Sequence, residues 1–205
     1  SKTAAGKNRM VTISPKLFPF FDDFGKGWVY ALKTSLSEQV TIKLGADWIA
    51  PDGMFICRDE EGCEYGSKDG YLYLNDSYDI TIDLNGHKID RNLKDATEDG
   101  IIFKLTDDDA KLTIKDSLGG GKITGAKNKG KGGAFLVEDG SLYITGGEIS
   151  GNKAHSGAGV YWDSHNTLCV YNAEIINNTV EYDGGGIYDG NHGKIYFGGR
   201  VILKD

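Results

Sequence analysis

Three prolines and three cysteines in 205 residues are too few for a proline-rich linker or a disulfide-stapled miniature fold. No apolar run reaches the roughly 18 residues that a membrane-spanning helix needs. Positive charge is also scarce: 23 Lys and Arg face 30 Asp and Glu, a formal net charge of −7. That balance argues against nucleic acid or an anionic membrane surface as partner. The opening "SKTAAGKNRM" lacks the charged and apolar regions of a signal peptide and reads as a mature or trimmed end.

Glycine is what the chain has in excess, with 30 residues and no Gly-X-Y triplet, so collagen is excluded. Its positions repeat. "GGAFLVEDGSLYITGGEISGN" (132–152), "GAGVYWDSHNTLCVYNAEIINN" (157–178) and "GGGIYDGNHGKIYFGGRVILKD" (184–205) align glycine on glycine and aliphatic on aliphatic. Ile123, Ile149, Ile175 and Val201 are each 26 residues apart; Leu142, Leu168 and Ile195 follow at 26 and 27. A fixed period in this range marks a solenoid, in which each repeat stacks on its neighbours. Within the repeats, "AFLV", "SLYI", "VYW", "TLCV", "IYD" and "KIYF" alternate with period two between Gly, Asn and Asp. None of these windows sustains helical spacing over ten residues, so the coils are built from strands.

Three zones follow along the chain, read as one domain because stacked coils share a core. Residues 1–36 form a polar tail and a helix, with Trp28, Ala31, Leu32 and Leu36 at i, i+3, i+4 and i+8. Such a helix would cap the open sheet edge of the first coil. Residues 37–205 form the solenoid: irregular coils over 37–125, with an excursion at 51–70, and regular coils of 26–27 residues over 126–205. Phe135, Val160 and Ile187 are expected to stack inward, as are Leu142, Leu168 and Ile195, and Ile144, Val170 and Phe197. Asn152 and Asn178, 26 residues apart, are expected to form a side-chain ladder between coils.

"DITIDLNGHKIDRN", the following "AKLTIKDSLGGGKITG" and the "GGGIY" coils resemble the right-handed parallel β-helix segments of large adhesin-like surface proteins of Gram-positive bacteria. The resemblance runs over about residues 28–205 and includes "LGADWIA". It implies an all-β, right-handed parallel β-helix of the pectate-lyase-like superfold with an N-terminal capping helix. It further implies an extracellular, cell-surface location as part of a larger protein, and a non-enzymatic rod that contacts a glycan or a surface protein. That superfold also hosts polysaccharide lyases and glycosidases, so a carbohydrate-active enzyme or its binding module is the alternative.

Outward strand positions supply the candidate ligand contacts: Tyr161 and Tyr188 after Leu136 in one stripe, Tyr143 and Tyr196 flanking Cys169 in another. Aromatic rings stacked in this way suit sugar or protein contact, or simply stack on one another between coils. Glu148, Glu174 and Arg200 recur at 26-residue intervals and form the candidate catalytic set for a lyase. The two carboxylates could share Ca²⁺, but without a dense aspartate loop they read as a solvated ion-pair ladder, with no metal and no cofactor. Cys57 and Cys63, with five residues between them, would close a small loop as a disulfide in an oxidising compartment; the alternative is a reduced pair. The last coil, with Phe197, Val201 and Ile202, is expected to continue into further coils or to make end-to-end contact with a neighbour.

Overall fold

The alternating runs become strands because each can bury its apolar set only on one side, and stacking the coils closes those sides around a common interior. The computed structural model describes residues 9–13 and 24–204; the tail at 1–8 and the lead-in at 14–23 lie outside the described residues. Three parallel sheets run the length of the molecule. The first contains, in spatial order, Arg9–Ile13, Val40–Leu44, Asp79–Asp83, Lys111–Lys115, Ser141–Ile144, Thr167–Tyr171 and Lys194–Gly198. The second contains Trp48–Ile49, Lys88–Asp90, Lys122–Thr124, Glu148–Ser150, Glu174–Ile176 and Ile202–Lys204. The third contains Tyr71–Leu74, Phe103–Leu105, Phe135–Val137, Val160–Trp162 and Ile187–Asp189, with Ser67–Lys68 antiparallel at its edge. The chain is therefore a parallel β-solenoid. Each coil visits the third sheet, then the first, then the second.

In the third and first sheets the stacking register is the one the spacing predicts. Phe135 pairs with Val160 and Val160 with Ile187; Leu142 pairs with Leu168 and Leu168 with Ile195. The same columns reach back through the irregular zone, where Val40, Ile80 and Leu112 precede Leu142 and Leu72 and Phe103 precede Phe135. Phe103 and Phe135 stack ring on ring at 5.3 Å and 10°. Each fully buried Leu, Ile or Phe contributes about 1.5–3 kcal/mol over exposure, so these columns dominate the stability of the rod. The corner before each third-sheet strand requires glycine. Gly132, Gly157 and Gly184 have φ of 77°, 64° and 69°, and an added Cβ would lie 2.7–2.8 Å from the Cβ of the residue four positions on. This explains the "GxxxL/Y" spacing shared by the three coils.

A helix, α1 (Phe24–Ser35), closes the N-terminal end. Trp28, Ala31 and Leu32 are completely buried, and the Trp28 ring packs on Trp48 of the second sheet and Phe103 of the third. Leu36 does not belong to this face: it follows the helix end and is exposed. The edge of the first sheet is covered by Arg9–Ile13, which pairs in parallel with Val40–Leu44. That strand lies inside what reads as a polar tail, because "RMVTI" is short and sits beside a charged run.

The 51–70 excursion folds back against α1. Met54, Ile56 and Arg58 face outward while Phe55 and Cys57 are buried in the core. Trp28 Nε1 donates to Gly66 O at 2.8 Å, and Lys33 pairs with Asp59 at 3.1 Å. Both feet of the excursion are held by Arg91, which is 1% exposed. Its guanidinium donates to the carbonyls of Gly53, Asp69 and Ile101, and burial brings its pKa down to about 10. No disulfide joins Cys57 and Cys63, contrary to the expected loop closure. Tyr65 N–H bonds to Cys57 O and Asp59 N–H to Cys63 O, so the two cysteines stand on different rungs of one hairpin. Cys57 turns into the core and Cys63 to solvent.

Candidate functional site

Outward residues on the first sheet form a regular grid, because period-two alternation and parallel register fix both of its axes. The middle column reads Thr41, Thr81, Thr113, Tyr143, Cys169, Tyr196. On one side of it stand Asp79, Lys111, Ser141, then Thr167 above Lys194; on the other, Lys43, Asp83 and Lys115, and further down Tyr171 above Gly198. The grid changes character along the rod. Its N-terminal part is charge-paired, with Lys111–Asp79 at 3.7 Å and Lys115–Asp83 at 3.5 Å. Over the last three strands it holds three tyrosines, hydroxyls and one lysine, with no carboxylate.

The tyrosines on this part of the face are accessible. Tyr196 is 57% and Tyr171 46% exposed, and Tyr143 is half-buried with Lys111 Nζ 5.5 Å from its ring centre. The Tyr171 ring lies over Gly198 and Gly199: a Cβ at Gly198 would come within 2.9 Å of it, and one at Gly199 within 3.1 Å. Tyr171 was not among the sequence-predicted contacts. Its signal was available in "TLCVY", where it is the next outward position after Cys169.

Tyr161 and Tyr188 occupy a different face and do not join this group. They follow Tyr73, Lys104 and Leu136 in the outward column of the third sheet. Tyr161 is only 5% exposed, so the expectation that it is displayed to solvent is corrected. It stacks on Tyr188 at 4.9 Å and 19°, with Lys131 Nζ 4.9 Å from its ring centre. Tyr71, Ile101 and Leu136 are buried beside it, forming a second small apolar cluster along this flank. The stripe is mutual packing between coils.

The acidic column of the second sheet is likewise tied to its neighbours at Glu148. Lys88, Lys122, Glu148 and Glu174 stand on successive rungs. Glu148 accepts a hydrogen bond from Ser150 and pairs with Lys122 at 3.0 Å; together these hold its carboxyl below the usual range, against its partial burial. Arg200 is not in the column. Glu174 pairs with Ile202 and Ile175 with Leu203, two positions beyond the even spacing, because the last coil carries one extra residue before the Ile187 strand and another in the corner after Gly198. The three candidate catalytic residues therefore do not line up as their even spacing suggested, and Val201 does not stack on Ile175. Among the described residues no three His, Cys, Asp or Glu side chains are grouped to hold a metal ion.

The asparagine ladder forms as expected. Asn152 Nδ2 donates to Asn178 Oδ1 at 3.1 Å and to Ile123 O at 3.2 Å, while its Oδ1 accepts from Ala126 N–H. Both side chains are buried. Their role is structural.

No protein-family model matches the chain, and no curated protein and no solved structure is detectably similar to it. The site must be judged on its chemistry alone.

Proposed function

We propose that this solenoid is a non-enzymatic, extracellular, adhesin-like rod that binds glycan on the outward face of its first sheet, through Tyr143, Tyr171 and Tyr196. The observation that supports this reading is the grid over the last three strands: accessible tyrosines, neighbouring hydroxyls from Ser141 and Thr167, and no carboxylate. Flat aromatic rings cover the apolar faces of sugars, and hydroxyls meet their polar edges. A protein partner would need a buried apolar centre, whereas this surface is hydroxyl-rich and flat.

The rival reading, a polysaccharide lyase, would draw on Glu148, Glu174 and Arg200. The pairing of Glu148 with Lys122 and Ser150, and the displacement of Arg200, weigh against it. The two readings separate in one experiment. The chain is screened on a broad glycan array, and the same preparation is assayed for unsaturated product from uronate polymers. Binding without cleavage, lost on replacing Tyr171 and Tyr196 by Ala, is the expected result. Cleavage abolished by Arg200→Ala would install the enzyme instead.

A further inference from the structure

The tyrosines of this face are not evenly spread, and their spacing carries information about the ligand. Tyr143 and Tyr196 share the middle column, separated by the rung of Cys169. Two rungs at about 4.8 Å each place the two rings about 10 Å apart along the rod axis. Cys169, between them, is short and half-buried, and offers no ring. Tyr171 stands one outward position beyond Cys169, and its ring leans over Gly198 and Gly199 toward the rung of Tyr196. Tyr171 and Tyr196 thus make a two-ring floor at one level, and Tyr143 makes a second, single-ring floor two rungs away. Lys111 lies beside Tyr143 and Lys194 in the strand of Tyr196, and these two do not form a continuous basic track.

Resting on the glycan reading above, we infer that the ligand is an extended, linear, ribbon-like glycan of the β-(1→4) type, lying along the rod and gripped at every second sugar. In such a ribbon successive sugars flip, so residues n and n+2 present the same face and are separated by about the distance between the two floors. Sugar n stacks on Tyr171 and Tyr196, sugar n+2 on Tyr143, and the intervening sugar passes over Cys169 with its other face toward the sheet. A helical α-(1→4) chain curves away from a flat sheet and reaches only one floor. A disaccharide also reaches only one.

The test is calorimetric titration of the whole chain with cello- and manno-oligosaccharides of two to six units, with maltohexaose as the helical control. Each aromatic floor contributes about tenfold in affinity. Affinity is therefore expected to rise about tenfold between the disaccharide and the trisaccharide, and to rise little further. Tyr143→Ala should reduce the trisaccharide to the disaccharide's affinity while leaving the disaccharide unchanged. Tyr171→Ala should weaken both. Each variant should still unfold in one cooperative transition well above the assay temperature, since Tyr171 and Tyr196 are exposed and Tyr143 is only half-buried. Equal binding of disaccharide and trisaccharide, equal binding of maltohexaose, or an unaffected trisaccharide in Tyr143→Ala would overturn the inference while leaving glycan binding in place. An array on which no glycan of any geometry binds would overturn the functional reading itself, and this inference with it.

Discussion

Replacing Arg91 by methionine tests how the excursion is held to the rod. The guanidinium is the common donor to Gly53 O and Asp69 O, one at each foot of the 51–70 segment, and to Ile101 O next to the third sheet. Methionine keeps an unbranched apolar stem and removes every donor. A buried carbonyl left without its partner costs about 1–3 kcal/mol, so three give a gross loss of several kcal/mol. Against this stands the desolvation of the guanidinium, itself several kcal/mol, which the variant no longer incurs. The balance expected is a net loss of about 1–3 kcal/mol, because the relieved desolvation offsets most of what the three neutral carbonyls lose.

In a stacked fold the loss should be local, because each coil draws its stability from its neighbours and the columns beneath the excursion are intact. Amide exchange should therefore accelerate over 51–70 far more than over 126–180. Urea unfolding followed by the fluorescence of Trp28 and Trp48, which pack beneath the segment, should show an early transition. Arg91→Lys, with one compact head group, should fall between parent and Met. The sign of the pH dependence follows from the pKa of about 10 in the folded state. Between that value and the ordinary guanidinium range the unfolded chain binds the extra proton, so the contribution of Arg91 to stability rises with pH there. Below about 10 it is charged in both states, and the deficit of Arg91→Met should be constant from pH 6 to 9. A variant within about 0.5 kcal/mol of the parent, with unchanged exchange over 51–70, would refute the clamp.

Asn152→Leu removes the central amide of the buried ladder, with its bonds to Ala126 N–H, Ile123 O and Asn178; it should cost about 2–4 kcal/mol in denaturant titration, and a neutral outcome would reduce the ladder to ordinary turn residues. Glu148 has a lowered folded pKa, so its contribution is present above the unfolded value of 4.5 and disappears as pH falls through the folded pKa. Glu148→Gln should accordingly be less stable than the parent at pH 7 by about 0.5–1 kcal/mol, since the pair is partly exposed, with the gap closing as the pH falls through the lowered folded pKa; a gap that persists once the carboxyl is protonated would contradict the ion pair. Thiol titration of denatured, unreduced protein should count three cysteines, with Cys63 reacting in the native state and Cys57 only after unfolding; a count of one would restore the disulfide.

Much of the architecture was legible because parallel stacking makes sequence spacing and spatial register the same quantity. Leu142, Leu168 and Ile195 sit one above another because a coil of 26 or 27 residues returns the chain to the same sheet. Legibility failed where a corner changes length. Val201 is 26 residues after Ile175, yet Leu203 is its partner: the last coil gains one residue before the Ile187 strand and another after Gly198, so the column moves on by two positions. Arg200 leaves the acidic column for the same reason. The pinning of the excursion had no sequence signal at all, since Arg91 in "DRN" looks like any surface arginine until the chain brings Gly53, Asp69 and Ile101 around it.

Alternation also shows which side of a strand faces away from the core but not whether that side meets water. Tyr161 and Tyr196 are both outward residues flanked by apolar neighbours, and nothing local distinguishes them. What separates them lies on adjacent rungs. Tyr161 is walled in by Leu136 before it, Tyr188 after it and the Lys131 side chain above its ring. Around Tyr196 the neighbours are Cys169, which is short, and Gly198, which has no side chain and accepts the Tyr171 ring instead. In a solenoid the exposure of an aromatic residue is thus set by the size of residues one coil away and by whether a further rung covers it; Lys194–Gly198 is the edge strand of its sheet, and there the inward Phe197 is 54% exposed as well. Enlarging Cys169 to leucine should reproduce at Tyr143 and Tyr196 the covered state of Tyr161. The expected result is a stability equal to the parent's or higher, with glycan affinity reduced to that of one floor. Unchanged affinity would mean that the ligand does not cross the Cys169 rung, and would place the contact surface elsewhere on the rod.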